Sequence, residues 1–412
     1  MTIIEFFDSN DIENIAGTLL CAPEKTIFIG DNYKKLMTVI GSYKTIVRAR
    51  KLSTEFEVRT VNRNDLKDIV SALRETVNQN SDCVIDLTGG DELYLVAAGI
   101  VSNLYPDKVS LHRFNIRNGM LYDCDDTGCS VKAGPASVDV CENIAVYGGR
   151  VVFDAEKNGA THRWDFTDEF KTDIRKLWNV YCDGTGYWNS QVGTFSGINA
   201  YIPQKDPLCL SVDKADAKEI LSSHSVKYVC FHSMLKALEK NGLINGLVND
   251  KYTLSFRYKN EQIKNCLTKA GLLLELYVTV TALECSDKNG RVYNDVQTGV
   301  VVDWDGMLSK GTPDVENEID VILMKDLIPV FISCKNGAVD ITELYKLETV
   351  AKRFGGKYAK KVLVASELNK NSAKGRYIAL RAQEMGIRII DNVDKYSAEK
   401  LNDILSSLWK NS

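Results

Sequence analysis

The chain has 412 residues, of which 44% are hydrophobic and 26% charged, and a net charge of −4. That length suggests two or three globular domains, and the acidic balance excludes a globally basic nucleic-acid coat, leaving any nucleic-acid contact to a local patch. Eleven cysteines, with no Cys-x-x-Cys pair and Cys124 and Cys129 the closest two, give neither a disulfide framework nor a zinc ribbon and fit a reducing cytoplasm.

In chain order, the first residues, Met1-Thr2-Ile3-Ile4-Glu5, lack the basic start and apolar run of a secretory leader. No segment has the apolar length of a membrane span, so no membrane is expected. Residues 2–7 read as a strand, and Asp8-Ser9-Asn10 as a turn capping a helix from near Asp11. Strands follow at 26–29, 55–61 and 83–87, with an amphipathic helix over 33–50 and another from Asn64 to about Val77. Thr88-Gly89-Gly90 turns into a helix in which Leu93, Val96, Ala97, Ile100 and Leu104 recur at helical spacing. A strand near Val109 closes the series. This alternation implies an α/β fold with an open, mostly parallel sheet, a Rossmann-like N-terminal domain.

Such sheets bind ligands at the carboxyl ends of their strands. Two turns lie there: Asp8-Ser9-Asn10 and Thr88-Gly89-Gly90-Asp91-Glu92. The glycines admit a close backbone approach, and a helix N-terminus offers free N–H groups. Asp91 and Glu92 oppose a bare phosphate and suit ribose hydroxyls or base amino groups. The absence of Gly-x-x-x-x-Gly-Lys and of a full Gly-x-Gly-x-x-Gly argues against an NTPase or a dinucleotide enzyme.

From about Val140 the pattern loosens. Asp183-Gly184-Thr185-Gly186-Tyr187-Trp188 reads as a glycine-aromatic loop, 226–243 as a helix and 252–256 as a strand. Together these suggest a small winged-helix-like module, read as a spacer or dimerisation element because no basic recognition helix accompanies it. From Glu261 the chain is α/β again. A helix is expected over 264–280, carrying Gly271, Leu274, Glu275 and Tyr277, then strands at 299–304, 318–323 and 330–335, a helix at 341–354, a strand at 361–365, a helix at 373–385 and a last strand at 387–390. The domains expected are 1–150, 151–262 and 263–412. Lys346, Lys352, Arg353, Lys357, Lys360, Lys361, Lys370, Lys374 and Arg376 form either a local basic patch or a solvated helix face.

Asn317-Glu318-Ile319-Asp320-Val321 and Pro329-Val330-Phe331-Ile332-Ser333-Cys334-Lys335 read as the two arms of a β-hairpin, turning at Lys325-Asp326. An acid, Asp320, and a lysine, Lys335, then come near each other. The pair reads as a surface ion pair or as part of a metal-dependent phosphodiester hydrolase, in which a carboxylate holds Mg²⁺ or Mn²⁺ and a lysine steadies the developing charge. Glu316 and Glu318 crowd the same segment, and Glu275 on the upstream helix is a further ligand candidate.

These motifs, namely Gly271-Leu272-Leu273-Leu274-Glu275-Leu276-Tyr277, Asn317 to Val321 and Ile332-Ser333-Cys334-Lys335-Asn336, with Thr88-Gly89-Gly90-Asp91-Glu92-Leu93 after a strand, resemble the CARF-domain nucleases of type III CRISPR systems. That family fuses a Rossmann-fold sensor to a restriction-endonuclease-like PD-(D/E)xK domain. The resemblance implies a homodimer that binds a cyclic oligoadenylate, commonly cyclic tetra-adenylate, and is thereby switched on for metal-dependent cleavage of DNA or RNA. It implies Glu275, Asp320 and the backbone carbonyl of Cys334 as metal ligands, Lys335 as the motif lysine, and Ser9, Asn10, Thr88, Gly89, Gly90, Asp91 and Glu92 at the activator. One position departs: Ser333 stands where the family usually has an acid, and a hydroxyl is a weaker ligand for a hard cation. Glu275, Glu318 or a water fills that gap, or the site is weakened. The competing readings are a histidine-dependent RNase and a ligand-gated DNA-binding regulator with a degenerate nuclease domain. All four histidines, His112, His162, His224 and His232, precede the C-terminal domain, which counts against the first.

Overall fold

The structure, a computed structural model, describes the chain except residues 9–10, 126–127, 289, 307–315, 370 and 410–412. Ser9 and Asn10, expected at the activator, therefore lie outside the described residues. Two compact units form. One comprises Met1–Thr161, Tyr293–Phe331 and Tyr345–Lys361, the other His162–Val292, Ile332–Leu344 and Val362–Ser412.

The first unit opens with the expected alternation: β1 (Thr2–Phe6), α1 (Ala16–Cys21), β2 (Lys25–Gly30), α2 (Tyr33–Ala49), β3 (Glu55–Thr60), α3 (Leu66–Gln79), β4 (Cys83–Asp86), α4 (Glu92–Leu104) and β5 (Val109–Asn115). β6 (Met120–Asp125) and β7 (Gly128–Ala133) follow. The sheet order is β3-β2-β1-β4-β5-β6-β7. The first five strands are parallel and the last two antiparallel. The α/β fold with an open, mostly parallel sheet is therefore as expected, and the antiparallel hairpin is an addition. Five consecutive residues of β1 are buried, the near-continuous apolar run of a strand covered on both faces. Ile4, Phe6, Ile29, Ile69, Leu73, Ile85 and Ala97 pack in one core cluster, where each large apolar side chain contributes about 1.5–3 kcal/mol. Asn32 and Asp65 cap α2 and α3 through their side-chain oxygens, each cap contributing about 1 kcal/mol. α5 (Val140–Val146) begins with a capping box of Asp139 and Glu142, and β8 (Arg150–Val151) follows it.

The second unit continues with α6 (Asp168–Cys182), α7 (Thr185–Tyr201), β9 (Cys209–Asp213), α8 (Lys214–Ser223), α9 (His232–Lys240), β10 (Ile244–Asn249) and β11 (Thr253–Tyr258). The order helix, strand, two helices and hairpin, with a three-stranded antiparallel sheet β10-β11-β9, is that of a winged-helix-like module. The glycine-aromatic stretch expected as a loop is instead the start of α7. Gly186 has open space beside it, whereas further along the helix a Cβ on Gly197 would stand 2.6 Å from Leu221 Cδ2, and Trp188, Phe195 and Ile198 are buried. The helix expected over 264–280 is two, α10 (Glu261–Thr268) and α11 (Leu272–Leu283), broken at Gly271, whose φ is +87°. β12 (Ser286–Asp287) and β13 (Gly290–Arg291) make a small ribbon.

The remaining elements are β14 (Asp295–Asp303), β15 (Glu316–Lys325), β16 (Ile328–Lys335), α12 (Ile341–Phe354), β17 (Lys360–Ala365), α13 (Ala373–Glu384), β18 (Ile387–Ile390) and α14 (Ala398–Ser406). In the first unit the neighbours run β16-β15-β14-β8, and in the second β18-β17-β16. Among the described residues no helix is long and apolar enough to cross a membrane.

Candidate functional site

The strand order reverses direction between β1 and β4, the switch point at which open α/β sheets bind ligands. A cavity of about 270 Å³ opens there. Phe7 and Asp8 reach it from the end of β1, Asp31, Asn32 and Lys35 from the start of α2, and Arg63 from beyond β3. Gly90, Asp91 and Tyr94 complete the lining from the start of α4. Gly90 and Asp91 belong to the turn singled out in the sequence. Arg63 Nη2 donates to Asp91 Oδ2 at 2.9 Å, and its Nη1 lies 3.8 Å from Asp31 Oδ2. Burial, then the nearby Asp31 and Asp91 carboxylates, push the Tyr94 hydroxyl up to about 12, so it stays a donor at neutral pH. Two cations beside three carboxylates, an amide and a phenol can take both the phosphate and the hydroxyl or amino groups of a nucleotide.

Thr88 and Gly89 shape the loop from beneath. Asp86 Oδ1 accepts from Thr88 N at 2.6 Å, and Thr88 Oγ1 accepts from Phe114 N at 2.7 Å. A Cβ on Gly89 would stand 2.3 Å from Phe6 O, so glycine is required there by the protein's own backbone. Below the loop, Glu5, Asp86 and His112 stand in register on three adjacent strands, each at most 1% exposed. His112 Nε2 lies 2.8 Å from Asp86 Oδ2, yet at an angle that leaves both without a hydrogen bond. Burial, then Asp86, hold the Glu5 carboxyl well above the usual carboxylate range, so Glu5 is protonated and the row avoids two adjacent anions.

In the first unit, Asp320 sits half-buried on β15, between the buried Ile319 and Val321. Thr298 pairs with Val321 and Val300 with Ile319, so Gly299 stands across from Asp320. Gly299 has φ +58°, and a Cβ there would have only Glu318 Oε1, at 3.9 Å, within contact range. The neighbouring strand thus leaves room beside the carboxylate. Glu316, on the same face, is bound by Lys157 Nζ at 2.7 Å.

In the second unit, Ser333 and Lys335 share a face of β16 by the two-residue strand period, and Ser333 is 9% exposed. Lys335 Nζ pairs with Glu343 Oε2 of α12 at 3.1 Å, a partner the sequence reading missed. Glu275 lies in the first turn of α11, with its Oε1 against Gly271. Past Lys335, a polar cavity of about 880 Å³ opens at the ends of β16, β17 and β18. Asn336 organises one wall. Its Oδ1 accepts from Tyr181 Oη at 2.7 Å and Ser366 Oγ at 3.2 Å, and its Nδ2 donates to Asn189 Oδ1 at 3.0 Å. Asn369, Asn371, Asn392, Lys395 and Tyr396 line the rest with Asp391 and Asp394. Amides and tyrosines of this kind suit base edges and base faces. Only the step from Lys335 to Asn336 hinted at this wall; Asn189 and Tyr181 come from helices far back in sequence.

Residues 246–409 match the family described as Card1-like, endonuclease domain. This segment is similar to Card1-like endonuclease domains. Glu275, Asp320, Ser333, Cys334 and Lys335 all fall inside it. No curated protein matches the chain by sequence. Over 99% of its length the chain has the fold of protein VC1899 from Vibrio cholerae, with TM-score 0.72, 18% identity and 97% of that chain covered. It also has the fold of Can2 from Sulfobacillus thermosulfidooxidans, solved in complex with cyclic tetra-adenylate, with TM-score 0.63, 14% identity, and 98% and 97% of the two chains covered. Among the described residues, no group of three or more His, Cys, Asp or Glu side chains gathers as a metal cage. The expected donors are instead the carboxylates of Glu275 and Asp320 and the backbone carbonyl of Cys334. All are hard oxygen donors, the set that suits Mg²⁺ or Mn²⁺ completed by water.

Proposed function

We propose that the chain is an endonuclease of type III CRISPR defence, activated by a cyclic oligoadenylate and dependent on a divalent metal, that acts as a homodimer in the cytoplasm. The observation that carries the nuclease reading is Lys335, held by Glu343 at the end of a buried strand within the Card1-like domain. In this reading residues 1–150 are the sensor, 151–262 the linker with the winged-helix-like module and 263–412 the nuclease.

Glu275, Asp320 and the Cys334 carbonyl would hold Mg²⁺ or Mn²⁺, which supplies Lewis acidity toward a phosphodiester and lowers the pKa of a bound water. Lys335 carries positive charge to the phosphate oxygens as negative charge grows on them, and Glu343 fixes where its ammonium points. Ser333, on the face of Lys335, orients a water by hydrogen bond in place of the usual acid. Asn336 and the amide-lined cavity beyond it hold the nucleotides beside the scissile phosphate.

On the sensor side, Lys35 and Arg63 meet activator phosphates, while Asn32, Gly90 and Asp91 meet ribose or adenine. Thr88, Gly89 and Glu92 complete the site with Ser9 and Asn10. Cyclic tetra-adenylate is the activator proposed, by the fold shared with Can2, which was solved with that ligand.

The test is cleavage of labelled single-stranded DNA, single-stranded RNA and supercoiled plasmid, with and without Mn²⁺ and each cyclic oligoadenylate. Activity requiring both a metal and a cyclic oligoadenylate is expected, and Asp320→Ala and Lys335→Ala should each abolish it while activator binding persists. Full activity in either variant overturns the assignment. A ligand-gated DNA-binding regulator is the second reading, favoured by the winged-helix order of α7 to β11 and by Ser333; it predicts activator-dependent duplex binding and no cleavage.

A further inference from the structure

The hairpin β6–β7 carries a feature that the nuclease and sensor readings do not use. Cys124 and Cys129 stand directly opposite each other in its register, and their Sγ atoms approach to 2.9 Å. Both are free thiols; Cys129 is exposed and Cys124 half-buried. Residues paired across antiparallel strands have Cα atoms about 4.5–5.5 Å apart, inside the window of about 4.4–6.8 Å that a disulfide requires. No backbone movement is needed to join them. By contrast Cys83, Cys266, Cys285 and Cys334 are buried.

We propose that Cys124 and Cys129 form a reversible disulfide on exposure to peroxide, a redox modification site at the edge of the N-terminal sheet. Burial, then the Cys129 thiol beside it, push the Cys124 thiol up to about 11, which assigns the first attack to the exposed Cys129. The Cys129 thiolate attacks one peroxide oxygen: an S–O bond forms, the O–O bond breaks and hydroxide leaves. Cys124 sulfur then attacks Cys129 sulfur, the S–S bond forms, the S–O bond breaks and water departs. Two thiols and one hydrogen peroxide give one disulfide and two waters, with sulfur oxidised and peroxide oxygen reduced.

The sequence offers a clean readout. Trypsin cuts after Arg117 and Lys132, and residues 118–132 contain these two cysteines and no other. The purified full-length protein is treated with hydrogen peroxide, alkylated and digested. The expected peptide is lighter than the reduced form by two hydrogens and takes up no alkyl group, and prior treatment with a thiol reductant restores both alkylation sites. In Cys124→Ser, Cys129 should remain as a sulfenic acid that dimedone labels. Two alkyl groups on the peroxide-treated wild-type peptide would overturn the proposal. So would a sulfinic Cys129 beside an alkylated Cys124, or a crosslink between chains on a non-reducing gel.

Discussion

Glu343 determines what Lys335 can do. The pair lies 3.1 Å apart, with side chains 29% and 18% exposed, sheltered enough for a directional bond that a fully solvated pair would lack. Replacing Glu343 with Gln keeps the size and removes the charge, so single-turnover cleavage should fall about tenfold, corresponding to about 1.4 kcal/mol, while activator affinity is unchanged. Ser333→Ala loses one hydrogen bond, about 1 kcal/mol, and should slow turnover roughly fivefold without ablating it. Ser333→Glu, which supplies the missing acid, should change the ratio of Mn²⁺- to Mg²⁺-supported rates. Equal rates for wild type, Ser333→Ala and Ser333→Glu in both metals would remove Ser333 from the mechanism. Lys335 was legible in the sequence because it ends an unbroken apolar strand. Glu343 was not, because its approach depends on how the turn between β16 and α12 folds back, and no periodicity records that.

At the scale of elements, the turn after β4 was read as a ligand loop because of its glycines, and its geometry explains one of them otherwise. Gly89 faces Phe6 O, so Gly89→Ala should lower the melting temperature by several degrees through a backbone clash, and a fall in activator affinity in that variant would be uninformative. Arg63→Ala is the cleaner test: the side chain is half exposed, so the fold should persist while calorimetric affinity for the cyclic oligoadenylate drops at least tenfold. Asn32, Lys35 and Arg63 escaped the sequence reading because the turn at the end of β2 has a single glycine, Gly30, rather than a pair, and the turn after β3 has none. β1, β2 and β4 were legible through their buried runs. The β6–β7 hairpin was not, since β7 is exposed along most of its length and has no apolar face to leave a pattern. Buried acids give these elements a pH dependence of definite sign. Burial raises the Asp11 carboxyl from 3.8 to about 6, and Glu5 is shifted in the same direction. A raised carboxyl favours the folded state fully below its unfolded pKa and loses that contribution as pH rises through its folded one. The melting temperature of Asp11→Asn should therefore gain on that of wild type between about pH 4 and pH 6 and run parallel to it above, as read by calorimetric scans across that range.

The whole molecule is assembled from a chain that leaves its first unit and returns to it twice. Within that unit α5 is held by the returning segments. Val140 N donates to Asp295 Oδ2 at 2.8 Å, Asn294 Nδ2 to Val138 O at 2.8 Å and Asn143 Nδ2 to Phe354 O at 2.8 Å. A fragment of residues 1–161 should therefore keep its parallel sheet and the Arg50–Glu142 pair but leave β8 without its β14 partner and α5 without its three returning hydrogen bonds, and should melt well below the full chain or aggregate. A fragment as stable as the whole would show those bonds to be incidental.

Those returning segments also set an order in time. A ribosome delivers the residues one by one from the first, and the returning partners of α5 emerge only at residues 294–295 and 354. While residues 162–293 are made, the nascent chain carries an N-terminal sheet whose last helix is held only from the α2 side, through Arg50 and Glu142, which makes translation speed through that stretch, and any chaperone that shields the open side of α5 meanwhile, a determinant of how much active protein a cell obtains.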